Sequence, residues 1–78
     1  MGVSELIREA RIEKGLSKEG LADIMDVTVM SVHKWEAGQS IPKVGKAKEL
    51  IEVLGVNPVE FLTALTGIDL TDYVSKGQ

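Results

Sequence analysis

The chain predicts an all-α domain, and three observations carry that expectation. Of its 78 residues, 44% are apolar but only 4% are aromatic. Leu, Ile, Val, Ala and Met make up most of that share, a mixture that suits helix-on-helix packing better than a sheet. The apolar residues recur at three- and four-residue spacing, the period of a helix with one buried face. Glycines close four of the five such stretches, at Gly15, Gly38, Gly55 and Gly67, where a left-handed residue ends a helix.

Taken in order, the first helix is expected to be capped by Ser4 and to carry Leu6, Ile7, Ala10 and Arg11 on one side. It ends near Lys14-Gly15. Ser17 caps a short second helix whose stripe is Leu21, Ala22, Ile24 and Met25. Asp26 follows in a turn, since Asp tolerates positive φ better than most residues. Val27 points inward, and Thr28 caps a third helix with Val32 and Trp35 on its inner face. Gln39-Ser40-Ile41-Pro42 forms a loop. A fourth helix runs from about Lys43 to Leu54, with Ala47, Leu50, Ile51 and Leu54 at helical spacing. Asn57 caps a fifth, with Pro58 in its first turn and Phe61, Leu62 and Leu65 along it.

A core of this size comes from packing alone. The chain has no cysteine and one histidine, which excludes a disulfide framework and any Cys- or His-rich metal site. No apolar run approaches the length of a membrane span, and no basic segment followed by an apolar stretch opens the chain. The expectation is a cytoplasmic protein without membrane contact, cofactor or small-molecule substrate. Glu5, Glu9 and Glu13 stand four apart, but that is the ordinary exposed stripe of a helix. No Ser–His–acid set and no phosphate-cradling glycine loop appears, so an enzyme is not expected.

Net charge is −3, which taken whole disfavours a nucleic-acid partner. Its distribution reverses that reading. Residues 28–48 hold four lysines (Lys34, Lys43, Lys46, Lys48) against Glu36, leaving five basic and eleven acidic residues elsewhere. A phosphate backbone senses the face it meets, because salt screens charges beyond about 8 Å.

The second and third helices meet across Asp26-Val27, with small Ala22 where they approach closely. This is the plan of a helix-turn-helix, in which the second of the pair lies in the major groove of DNA. Residues 5 to 63 also resemble the lambda-repressor-like family, the XRE or Cro/repressor type. The shared residues are Arg11, Gly15-Leu16-Ser17, Leu21-Ala22, Val27, Val32, Trp35-Glu36, Gly38, Pro42 and Leu54-Gly55-Val56. The resemblance implies a five-helix bundle that binds operator DNA, usually as a homodimer. It places Val29, Met30, Ser31, His33 and Lys34 at base edges, and Ser17, Lys18, Thr28, Gln39, Ser40 and Lys43 at phosphates, with Lys46 a lesser candidate. It also pairs Arg11 with Glu36 in a mostly buried ion pair. Asp26 stands where the family often has Gly, and Val29-Met30 where polar readers are common. Readout then falls to apolar contact with thymine methyls and to Lys34 and Ser31.

Some positions keep two readings. His33 is a base reader or a solvent-facing helix residue. Val29 and Met30 read thymine methyls or form a small patch for a protein partner. Residues 1–67 form the helix-turn-helix domain. In the tail, 68–78, the apolar Ile68, Leu70, Tyr73 and Val74 either cover the bundle or form a dimer seam. The expected function is a sequence-specific transcriptional regulator, a repressor on a palindromic operator. The alternative is an antitoxin-like or anti-regulator protein-interaction module. The tail's self-contained look favours a complete small protein over the first domain of a longer repressor.

Overall fold

The computed structural model describes residues 2–69, which fold into five helices with no strand among them. They are α1 (Val3–Glu13), α2 (Lys18–Met25), α3 (Val29–Ala37), α4 (Val44–Leu54) and α5 (Pro58–Thr66). Leu70, Tyr73 and Val74 lie outside the described residues.

Local chemistry sets most boundaries. The hydroxyls of Ser17 and Thr28 accept from the backbone N–H of Gly20 and Ser31, and the Asn57 side chain accepts from that of Glu60. Each satisfies an N–H that the first turn of a helix leaves without a partner. Ser4 does not cap α1. That helix begins two residues earlier than expected, because Val3 packs against the core and draws the chain into helix from Gly2. Lys43 is the N-cap of α4 and not its first residue, and its side chain makes no capping bond.

The core runs through the middle of the bundle. Ile7, Leu21, Met25, Val32, Leu50 and Phe61 are its largest fully buried side chains, so every helix contributes at least one. Trp35 and Ala22 are buried with them. Ile24, expected on the inner stripe of α2, is 53% exposed. Leu21, Ala22 and Met25 already fill that face, and Ile24 falls about 100° away from its centre at helical spacing.

The turn between α2 and α3 is tight. Asp26 is the one non-glycine residue at positive φ (55°) among those described. Its backbone N–H donates to Asp23 O, and that of Val27 to Ala22 O at 3.0 Å. Val27 is half-buried against the core. The left-handed residue thus satisfies the last carbonyls of α2 while Val27 fixes the exit angle, and α3 crosses back over α2 and α1.

Candidate nucleic-acid interface

The sequence of α3 divides it into two faces. Val32 and Trp35 are buried, and Glu36 is partly buried on the same side. Val29, Met30, His33, Lys34 and Ala37 are exposed, Val29 by 42% and Met30 by 56%. At 100° per residue these five occupy one continuous arc of about 140°. A convex helical strip of this kind is what a major groove about 12 Å wide admits.

The inner face is anchored by packing and by one ion pair. Arg11 Nε donates to Glu36 Oε2 at 2.7 Å and Nη2 donates to Oε1 at 3.0 Å, a two-pronged arrangement with side-chain exposures of 11% and 3%. Arg11 Nη1 also donates to Leu16 O at 2.8 Å. The Glu36 hydrogen bond, partly opposed by burial, holds the Arg11 guanidinium above its ordinary pKa. One side chain of α1 therefore ties the end of α3 to the loop that leads into α2.

Polar groups border the outer face. Lys18, at the first turn of α2, lies against α3, its Nζ 3.3 Å from His33 Nδ1. A lysine ammonium can only donate, so Nδ1 is the acceptor in this contact. Ser31 is only half-exposed, and its hydroxyl is engaged with Thr28 Oγ1 at 3.1 Å. Gln39 and Ser40 follow directly from α3, where their backbone N–H groups donate to Lys34 O. Both side chains are exposed, as is that of Lys43.

The structure thus joins Lys18 to His33, Ser31 to Thr28 and Arg11 to Glu36. Lys46 is turned elsewhere. Its Nζ donates to Met25 O at the end of α2 at 3.0 Å and approaches Glu49 Oε1 at 3.4 Å. It serves the scaffold, where a cation beside the last carbonyls of a helix is favourable. One residue of this face is absent from the sequence reading: Ala37 is exposed, follows His33 by one turn and lacks a side chain long enough to attract notice.

Residues 7–61 match the helix-turn-helix family. A protein of Aeropyrum pernix that carries the provisional name of an HTH-type transcriptional regulatory protein is 39% identical over 64 residues. The alignment covers 78% of this chain and 20% of that protein, so the chain spans about a fifth of its relative's length. No solved structure gives a significant match.

Proposed function

The chain belongs to the helix-turn-helix family, a family of DNA-binding domains and not of enzymes, and from that premise we propose that it reads a specific double-stranded DNA sequence with the outer face of α3. The observation that carries this reading is the division of α3 itself. Val32, Trp35 and the Arg11–Glu36 pair hold the helix from behind, while Val29, Met30, His33 and Lys34 stand clear of the bundle.

In the groove, Val29 and Met30 pack on thymine methyls and Lys34 donates to guanine O6 and N7. His33 offers Nε2–H to a base acceptor, and Ser31 exchanges its bond with Thr28 for a base edge. Ser17 and Thr28 present the first turns of α2 and α3, where backbone N–H groups and the helix dipole favour phosphate. Lys18, Gln39, Ser40 and Lys43 complete the phosphate contacts. Lys18 exchanges His33 for a phosphate oxygen, a small cost because their present bond is exposed.

One domain reads one half-site, so a homodimer on a palindromic operator is the arrangement that doubles the contacts. Such a protein acts as a transcriptional repressor in the cytoplasm by covering a promoter. Among the described residues no helix is long and apolar enough to cross a membrane. A second reading, a protein-interaction module, is favoured by the exposed apolar pair Val29-Met30 alone.

Selection of bound fragments from random DNA, followed by salt titration on the selected site, separates the two. DNA reading predicts a palindromic consensus and a log K that falls steeply with log salt. Lys18→Ala and Lys43→Ala each flatten that slope by about 1. Absence of any enriched fragment, with salt-independent binding to a protein instead, overturns the proposal.

A further inference from the structure

His33 is the single histidine of the chain, and histidine is the side chain that ordinarily changes charge between about pH 5 and pH 8. It stands on the exposed strip of α3, with Nδ1 3.3 Å from Lys18 Nζ. Lys18 is the donor there. An imidazolium carries N–H at both ring nitrogens and has nothing left to accept with. The bond therefore exists only while the ring is neutral.

We propose that DNA binding by α3 is coupled to uptake of a proton at His33, which ends its bond with Lys18 and leaves both side chains as donors to the duplex. The coupling rests on the reading of α3 as the helix that meets DNA.

The groups around the ring support it. Lys18 lies on the stripe of α2 that also holds Leu21, Ala22 and Met25, at i, i+3, i+4 and i+7, and so faces α3. Glu19 and Asp23 fall about 100° and 140° away from it round α2, and Glu19 acts on Arg11. Arg11, the charged residue on the buried face of α1, is matched by Glu36 of α3. Lys34 follows His33 on its own helix and is exposed. Lys18 and Lys34 thus remain cations beside the ring, while the one carboxylate of α3 is spent on Arg11.

A duplex changes this setting. When Lys18 bonds a phosphate oxygen, Nδ1 loses its donor and turns a bare lone pair towards an anionic strand. A proton on Nδ1 converts that acceptor into a second donor, for phosphate or for a base acceptor, while Nε2–H keeps its base contact. Proton and duplex then each raise the affinity for the other, as linkage requires.

The test uses the full chain and a duplex selected from random DNA. With one histidine, the ring signals of a nitrogen-15-labelled sample report His33 alone. At a pH where the ring of the free chain is half protonated, adding duplex is expected to raise the protonated fraction. An unchanged or smaller fraction overturns the coupling. The affinity is expected to rise about fivefold as the pH falls from about 8 to 6. His33→Gln keeps an acceptor for Lys18 but cannot titrate, and its affinity is expected to be the same at both pH values. A pH slope that persists in His33→Gln puts the proton elsewhere and overturns the proposal. Salt-dependent binding by the parent without a pH slope sinks the coupling and leaves DNA reading intact. Failure to select any duplex removes both.

Discussion

At the scale of single residues, Arg11 carries the heaviest structural duty. Its guanidinium is nearly enclosed and spends its donors on Glu36 and Leu16 O. Arg11→Ala leaves the Glu36 carboxylate buried without its partner and is expected to cost about 3–5 kcal/mol, measured by urea unfolding. Replacing both residues with apolar ones of similar volume is expected to cost far less, because no charge is then stranded. The folded-state pKa of Arg11 is raised. On the arginine side the pair's contribution is therefore complete throughout the neutral range and is lost only as strong base removes the proton. Phe61 has no exposed surface, and Phe61→Ala is expected to cost about 3–5 kcal/mol in the same assay.

At the scale of elements, the caps explain how much of the fold was legible. Ser17, Thr28 and Asn57 each bind a backbone N–H three residues on, a local event that sequence spacing reveals. Gly38, Gly55 and Gly67 end their helices for an equally local reason, a left-handed backbone. Ser4 misled because Val3, which looks like part of an irregular terminus, gains more from packing than Ser4 gains from capping. Ile24 misled because α2 has only eight residues. So short a stripe does not define its own centre, and contacts with α3 and α4 decide it. The Lys18–His33 bond depends on how α2 and α3 cross, which no spacing along the chain encodes. The turn yields a prediction at this scale. Asp26 pays the steric cost of positive φ, so Asp26→Gly is expected to stabilise the domain by about 0.5–1 kcal/mol, read from the urea midpoint. Thr28→Ala is expected to cost about 1 kcal/mol by removing the cap of α3.

At the scale of the whole molecule, the acidic total conceals a divided surface. The lysines that follow the turn are not equivalent once folded: Lys34 and Lys43 stand exposed, while Lys46 is held against α2 and Glu49. The exposed face of α3 was legible because helical spacing alone separates Val32 and Trp35 from Val29, Met30, His33 and Lys34. The fate of Lys46 was not, because its partner, Met25 O, lies 21 residues away in the chain. The central claim is that the outer strip of α3 meets DNA while the opposite side of the bundle stays in solvent. Attenuation of side-chain signals by a soluble paramagnetic agent, with and without a selected duplex, measures this residue by residue. DNA is expected to shield Val29, Met30 and His33 and to leave the α4–α5 side unchanged. Continued attenuation of α3 in the complex, with protection appearing elsewhere, would contradict the account.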